Sequence, residues 1–300
     1  MDSKAVCRVC GSDNIRYLMT TQVNLTKLKS LEHCRCRACG SVFVSTQPDR
    51  DDLSEAYSSI DWDHYFQENC ETTRAKFVKG VEFLLASSVS LRARILDIGG
   101  GDGMFAEMLI EAGYSHVSVH EIPGASVKAE NVETVFQDFD YQSIPDTSFD
   151  VVTMMDVFEH VPDPSLVVAA CHRILKPGGI LYFHTPVVTP MDRAMHVMLK
   201  IPLLSIAGKT WVRGRTSVFH LENYTGKAFE HLFRGRFDVV TMDFKNELSR
   251  PVSGYVRVYL TNRLRWPDWT SRLLAPLFYF FIATDFFNPN KAVVCARRVS

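Results

Sequence analysis

The stretch ARILDIGGGDGMF at residues 93–105 is a short apolar run, a glycine-rich turn and a second apolar run. The pattern predicts a strand, a turn whose glycines let a ligand approach the backbone, and the start of a helix. Two motifs overlap in the turn. GDGMFA (101–106) fits the dinucleotide pattern G-x-G-x-x-[GA], whereas DIGGGDG (97–103) indicates a different nucleotide. The turn alone therefore predicts a nucleotide site and leaves the nucleotide open.

Predicted strands and helices alternate along the chain from this stretch. This rhythm is typical of a parallel sheet with helices on both faces, in which ligands bind at the carboxyl ends of the strands. Two antiparallel strands would close a Rossmann-like, seven-stranded α/β sheet. The predicted strands are 93–99, 116–122, 132–138, 149–156, 178–186, 237–244 and 291–299, and the predicted helices are 71–89, 104–113 and 164–176.

Acidic residues end the first four predicted strands. Asp97 would repel a pyrophosphate but suits a ligand that carries an ammonium or sulfonium charge. Glu121 is placed to accept both ribose hydroxyls, a feature that both nucleotide interpretations share. Asp138 is placed to accept from an adenine amine with Phe139 as an apolar neighbour, and Asp156 ends the fourth strand. We expect these side chains to meet at one edge of the sheet.

Five of the eight cysteines lie in the first 39 residues. CRVCGS (7–12) and CRACGS (36–41) are near copies, and each pair of thiolates can reach one ion from a tight turn. A segment of this size, residues 1–48, cannot fold on its own apolar core, so metal binding would stabilise it. The pattern predicts a small N-terminal ribbon with one closed, structural zinc site. The predicted ligands are Cys7, Cys10, Cys36 and Cys39, with the surplus Cys34 as an alternative to Cys36.

In this order, LDIGGGDG, Glu121, FQDFD, SFDVVTMMDVFEHVPDP and LKPGGILYFHTP resemble the class I S-adenosylmethionine-dependent methyltransferases. The chain is similar to their small-molecule branch, which contains the ubiquinone-pathway O-methyltransferases. The cysteine pairs resemble the zinc segment that precedes many bacterial methyltransferases of sugar, glycan or natural-product pathways. The resemblance implies S-adenosylmethionine as cofactor, bound by Asp97, Gly99, Gly101, Gly103, Glu121, Asp138, Phe139 and Asp156.

The segment after the fourth strand carries candidate catalytic residues. His160 is a general base by residue type, with a structural role in its loop as the alternative. Asp156, Glu159 and His160 also resemble an E-x-x-E-H set that binds a divalent ion in ubiquinone-pathway enzymes. The same resemblance implies that His220 and Tyr224 face the active site.

The chain divides into a ribbon (1–48), a polar linker (49–70) and a methyltransferase domain (71–300). Within that domain the apolar, lysine- and arginine-containing insertion at 187–222 is predicted to form an acceptor lid that meets a membrane or a phosphate-bearing acceptor, with a partly buried helix pair as the alternative. The apolar segment at 268–287 is predicted to be a packing helix or an interfacial patch.

A formal net charge of −1 gives no basic field, so nucleic acid is not an expected partner. The first residues show no apolar signal core, which favours a cytoplasmic location. We expect methyl transfer to a small-molecule acceptor such as a sugar, a glycan or a lipid-linked intermediate. The alternatives are a non-catalytic or nucleic-acid-binding zinc-ribbon protein and an NAD-dependent oxidoreductase, which Asp97 disfavours. The acceptor and the oligomeric state are left open.

Overall fold

The structure of the chain, a computed structural model, describes residues 5–58, 62–202, 204–217, 219–247 and 288–300, with residues 269, 273, 276 and 284. The strands are β1 (Ile15–Gln22), β2 (Ser30–Cys36), β3 (Val42–Val44), β4 (Arg94–Ile98), β5 (His116–Glu121), β6 (Val135–Gln137), β7 (Phe149–Met155), β8 (Leu175–Pro186), β9 (Glu222–Asn223), β10 (Phe237–Lys245) and β11 (Lys291–Arg298). The helices are α1 (Arg50–Ser58), α2 (Trp62–Ala86), α3 (Met104–Glu111), α4 (Pro164–Ile174), α5 (Pro190–Met198), α6 (Ser205–Arg215) and α7 (Gly226–Phe233).

A seven-stranded sheet in the order β6-β5-β4-β7-β8-β11-β10 forms the centre of the described fold. Strands β4 to β8 pair in parallel, and β11 and then β10 continue the sheet antiparallel from β8. The middle strands are covered on both faces, so the consecutive side chains of Ile95 and Leu96 are both fully buried. The predicted Rossmann-like α/β sheet is confirmed, including its closing antiparallel pair.

Residues 49–70, predicted as a linker, contain α1 and the first turns of α2, which also includes most of the helix predicted at 71–89. The Asp49 side chain accepts from the Asp52 N–H at 2.8 Å, and the Asp52 side chain accepts from the Asp49 N–H at 3.1 Å. Asp52 also accepts from the Leu28 N–H at 3.1 Å. The acids at the start of this stretch therefore cap a helix, although in sequence they resemble the acids of a solvated linker, and the division into domains stays a prediction.

The N-terminal strands share a sheet with β9, a strand that lies almost 180 residues further along the sequence. β1, β2 and β3 are antiparallel neighbours, and β3 pairs with β9. The Cys39 carbonyl accepts from the Thr225 hydroxyl at 2.6 Å, and the Arg8 carbonyl accepts from the Ser165 hydroxyl at 3.1 Å. The ribbon therefore packs against the N-terminal ends of α7 and α4.

The insertion predicted at 187–222 contains the helix pair α5–α6 and ends at the first residue of the short β9. Thr189 and Asp192 form a capping box at the start of α5. The buried Asp192 carboxylate also accepts from the Trp211 indole at 2.5 Å and from Arg215 Nε at 3.0 Å, both on α6. The carboxylate of Asp192 thus joins the two helices. They correspond to the partly buried helix pair that was the alternative prediction for this insertion.

Membrane-spanning helices are absent from the part of the chain that the structure describes, because none of its helices combines the length and apolarity that a bilayer crossing needs. The apolar segment predicted at 268–287 falls outside the described residues except at four isolated positions. Its role as a packing helix or interfacial patch stays a prediction.

Candidate active site

The glycine turn after β4 has a backbone conformation that side chains disfavour. Gly99, Gly101 and Gly103 have φ angles of +67°, +60° and +96°, the left-handed region in which other residues are strained. The Gly99 N–H donates to the His120 carbonyl at 2.8 Å and ties the turn to β5. Because α3 begins directly after Gly103, the turn lies at a helix N-terminus.

Gly99 is packed against the segment that follows β7. A Cβ atom at this position would lie 2.5 Å from the Val157 side chain, and its φ of +67° adds backbone strain. We expect Gly99→Ala to lower the free energy of unfolding by about 3 kcal/mol, measured by chemical denaturation. The matched control is Gly235→Ala, with a φ of +71° and nothing within 4 Å of its Cβ, for which strain alone predicts a loss of about 1 kcal/mol. Equal losses in the two variants would contradict the close approach to Val157.

Asp97 lies behind the glycine turn with 1% of its surface exposed. The Thr153 hydroxyl donates to its Oδ1 at 2.7 Å, and its Oδ2 lies 3.0 Å from where a Cβ of Gly100 would stand. Burial, together with the neighbouring charge of Glu121, raises the pKa of Asp97 to about 7. A buried carboxyl in this state is stabilised in its charged form by a cationic ligand.

Glu121 approaches the same turn from the end of β5. Its Oε2 accepts from the Gly101 N–H at 2.9 Å, and its Oε1 accepts from the Ile122 N–H at 2.8 Å. The structure thus brings Glu121 and the glycine turn together, as expected for strand ends at one edge of a parallel sheet.

Asp138 and Phe139 follow β6 at the same edge. Burial alone would raise the pKa of Asp138, but hydrogen bonds from the Ser143 side chain and N–H and from the Tyr141 N–H bring it below its usual value. The Asp138 carboxylate therefore holds its own turn, which differs from the predicted contact with an adenine amine. The Phe139 ring is 46% exposed, and the Arg50 guanidinium lies 4.9 Å from its centre.

Asp156 follows β7 in a left-handed conformation, with φ of +58°, a strained state for a residue with a side chain. Its carboxylate pairs with the Lys291 ammonium, with His184 Nδ1 at 2.8 Å and with Lys76 Nζ at 3.3 Å. Burial alone would raise the pKa of Asp156, but Lys291, His184 and Lys76 hold it well below its usual value. Asp156 is therefore a charged group that three basic side chains hold directly after β7.

Sequence reasoning missed His184, which lies near the end of β8 between two carboxylates. Its Nδ1 contacts Asp156 at 2.8 Å and its Nε2 contacts Glu247 at 2.9 Å. Burial alone would lower the pKa of His184, but these two carboxylates raise it. The rule that polar residues at strand ends line the site applies to His184 and could have found it.

His160 and His220 come together, but Tyr224 does not join them. The two imidazole rings are 4.8 Å apart, and His160 Nε2 lies 4.0 Å from Glu159 Oε1. Burial and the neighbouring His160 lower the pKa of His220 to about 3, which disfavours His220 as a general base near neutral pH. Tyr224 is fully buried and its hydroxyl donates to the Phe158 carbonyl at 2.9 Å, so it lies in the core, contrary to the prediction.

The four predicted zinc ligands converge in the ribbon. The sulfur atoms of Cys7 and Cys39 are 3.6 Å apart, as are those of Cys10 and Cys36, and all four lie within 4.8 Å of one another. Zinc bound to four thiolates at about 2.3 Å separates neighbouring sulfurs by about 3.8 Å. The spacing therefore fits a tetrahedral ion, and this group of four does not include Cys34.

The two cysteine turns have the same local geometry. The Gly11 N–H donates to the Cys7 carbonyl at 2.8 Å, and the Gly40 N–H donates to the Cys36 carbonyl at 3.1 Å. Both glycines have positive φ, at +70° and +86°. The repeat seen in the sequence is thus a repeat of two knuckles that point their thiols at one another.

Comparisons with known proteins show which families of sequence and structure the chain is similar to. A protein-family model described as "Methyltransferase domain" matches residues 40–243. A "Ubiquinone biosynthesis O-methyltransferase" of Xanthomonas oryzae pv. oryzae is 37% identical over 116 residues, which are 35% of this chain and 48% of that protein. Its counterpart in Xanthomonas axonopodis pv. citri is 34% identical over 128 residues, 39% of this chain and 53% of that protein. The chain spans about half the length of the curated relatives it matches.

The sheet and its flanking helices are also found in solved structures. One chain of the Haloferax volcanii complex between the Trm112 methyltransferase activator and a methyltransferase superposes with a TM-score of 0.53. The match is 16% identical and covers 80% of this chain and 98% of that chain. At this identity the similarity shows a shared fold.

Proposed function

This chain belongs to the methyltransferase domain family, whose model matches residues 40–243, and from that premise we propose that it transfers a methyl group from S-adenosylmethionine to a small-molecule acceptor. The observation that carries the choice of cofactor is the position of Asp97, buried behind the glycine turn with a pKa of about 7. Such a carboxyl disfavours the pyrophosphate of a dinucleotide and favours a cation.

The residues at the sheet edge fit this cofactor. S-adenosylmethionine supplies a methyl group on a sulfonium and also carries an ammonium group and a ribose. Asp97 would hold the cationic end across the glycine turn, and Glu121, whose Oε2 accepts from the Gly101 N–H, would face the ribose. Phe139 would cover the adenine with its exposed ring face, while Asp138 keeps the turn beneath it in place.

His160 is the general base that we propose for an acceptor proton. It is half-buried in the segment after β7, and its Nε2 is 4.0 Å from the buried carboxylate of Glu159. That negative charge would stabilise the imidazolium that proton transfer forms. His220, with its lowered pKa, would shape the acceptor side of the site rather than take a proton.

We further propose that Cys7, Cys10, Cys36 and Cys39 hold one structural zinc ion. Three of the four cysteines are almost fully buried, which suits a closed site without an open position for catalysis. The role of the ion would be to hold the knuckles against α4 and α7, since an apolar core of this size cannot do so alone.

The insertion at 187–222 is proposed to cover the acceptor. It follows β8, which ends at the site edge, and it exposes apolar side chains beside basic ones. Exposed apolar and basic side chains favour a partner that is both apolar and anionic. A lipid-linked intermediate at a membrane has both properties. The exposed apolar side chains are Val197, Ile201, Leu204 and Ile206, and the neighbouring basic residues include Lys200, Lys209 and Arg213.

Methyl transfer is tested with S-adenosylmethionine labelled in its methyl group and small-molecule extracts of the source cell, separated into aqueous and lipid phases. We expect label to enter a product with the wild-type protein and not with Asp97→Ala, and label in the lipid phase would support a lipid-linked acceptor. Saturable cofactor binding without transfer to either phase would contradict the proposed enzyme.

A further inference from the structure

Three carboxylates, an imidazole and an ammonium meet at the edge where β7 and β8 end. We name this group, Asp156, Glu159, His184, Glu247 and Lys291, the strand-edge cluster. Lys291 opens β11, which runs antiparallel to β8 and pairs Lys291 with Pro186 at the end of β8. An antiparallel neighbour begins where the parallel strands end, so the topology brings Lys291 to the site edge from far along the chain.

Lys291 is the cation that Asp156 and Glu159 share. Its ammonium contacts Asp156 Oδ1 and lies 4.0 Å from Glu159 Oε1. Glu159 is 1% exposed, and its other oxygen accepts from the Thr185 hydroxyl at 2.9 Å. A buried carboxylate needs such partners, because an unpaired buried charge is strongly unfavourable.

The same edge holds the donor set of a divalent cation site. Ligand atoms of Glu159, His160 and His220 lie within 4.8 Å of one another, and the Lys291 ammonium connects Glu159 with the carboxylate of Asp156. Carboxylate donors suit Mn²⁺, and imidazole donors suit other divalent first-row ions such as Fe²⁺ and Zn²⁺. The Lys291 ammonium, however, already lies against the two carboxylates, and its charge would repel a second cation there.

We propose that Lys291 is a built-in cation that takes the place of a divalent ion at this edge and holds Asp156 and Glu159 in position beside the acceptor. The inference rests on the proposed function, because it assigns this edge to the acceptor. Lys291 is a positioning residue: it fixes the two carboxylates, and through Glu159 it fixes the surroundings of His160. The wild-type protein then needs no divalent ion at the cluster.

The remaining cations of the edge do not replace this role. Lys76 on α2 approaches Asp156 at 3.3 Å, and His184 bridges Asp156 and Glu247. Both lie on the Asp156 side of the cluster, whereas Lys291 is the described ammonium that also faces Glu159. Removing the Lys291 charge therefore leaves Asp156 paired and exposes the Glu159 side to a new cation.

The test is a titration of the zinc-loaded full chain with Mn²⁺, in which electron paramagnetic resonance measures the concentration of free Mn²⁺. We expect no saturable Mn²⁺ binding by the wild type and about one Mn²⁺ per chain for Lys291→Gln, whose melting temperature should rise with Mn²⁺. Lys291→Arg keeps the charge and should behave like the wild type. Lys176→Gln is the matched control, because Lys176 pairs with Asp150 at 2.8 Å at the opposite edge of the same sheet.

A wild-type protein that binds Mn²⁺ and loses it in Glu159→Gln would overturn the inference, as would a folded Lys291→Gln that binds no more Mn²⁺ than the wild type. If Lys291→Gln folds only when Mn²⁺ is present, the inference is supported. If Lys291→Gln folds neither with nor without Mn²⁺, the Lys291→Arg variant decides, and Mn²⁺ binding by that variant overturns the inference. Calorimetry with S-adenosylmethionine on the same wild-type sample separates the two claims. No cofactor binding would refute the proposed function, while the Mn²⁺ comparison would still decide the role of Lys291.

Discussion

Asp97→Ala is expected to weaken S-adenosylmethionine binding about 100-fold, because it removes a buried carboxylate that no other group can replace behind the glycine turn. The side chain is 1% exposed and accepts a single described side-chain hydrogen bond, from the Thr153 hydroxyl. The fold should therefore persist, as checked by circular dichroism and thermal unfolding. Isothermal titration calorimetry measures the affinity, and an unchanged dissociation constant would mean that the cofactor's cation lies elsewhere.

Asp97→Asn is a control for the pH dependence of cofactor affinity. The pKa of about 7 means that the free wild-type carboxyl is neutral at lower pH, whereas a cationic ligand favours its charged form. Wild-type affinity should be constant above pH 7 and should fall by up to about tenfold for each pH unit below it. Asp97→Asn should bind weakly at every pH and should show no fall in affinity centred near pH 7. A wild-type profile as flat as that of Asp97→Asn would contradict the role of the carboxyl.

Cys36→Ser is expected to release the zinc ion and to lower the free energy of unfolding by about 5 kcal/mol. For a chain of this size the melting temperature should fall by roughly 10 °C. The ribbon contacts the body of the protein through β3–β9 pairing and through the bond from Thr225 to the Cys39 carbonyl, so its loss should reach α7. Zinc is measured by atomic emission and stability by calorimetry.

Cys34→Ser is the matched control for the ribbon. Cys34 is as buried as Cys36 and lies two residues away in β2, but its sulfur is outside the group of four. It should keep about one zinc per chain and lose only the stability that a buried polar hydroxyl costs, about 1–3 kcal/mol. Native wild-type protein without zinc, or equal zinc loss in both variants, would contradict the assignment of the four ligands.

The features that the sequence predicted are local or repeat at fixed spacing. The glycine turn, the strand before it and the helix after it follow from one short stretch, and the paired knuckles follow from one repeated motif. The acid that ends β5, Glu121, reaches the turn because parallel strands end at one edge, a rule that needs no knowledge of which strands are neighbours.

The features that the sequence did not predict depend on pairing across long distances. Lys291 reaches Asp156 over 135 positions, because β11 inserts antiparallel between β8 and β10 and starts at the site edge. Glu247 reaches His184 because β10 is antiparallel to β11 and therefore ends at the edge where β11 starts. The prediction for Tyr224 was wrong because it came from a resemblance, which gives a position along the chain, whereas packing decides whether a large aromatic ring faces the site or the core.

The contact of the ribbon with the rest of the protein was also not predictable from the sequence. Its ligands were predicted from spacing, but its docking on β9 was not, since β9 is a strand of two residues without a pattern of its own. That short pairing and the hydrogen bond from Thr225 to the Cys39 carbonyl join the ribbon to the chain between α6 and α7.

Isothermal titration calorimetry of the wild-type protein against S-adenosylmethionine and against NAD distinguishes the proposed cofactor from a dinucleotide. We predict saturable binding of about one S-adenosylmethionine per chain and no measurable heat with NAD, because Asp97 behind the turn favours a cation over a pyrophosphate. Saturable NAD binding without S-adenosylmethionine binding would contradict the account.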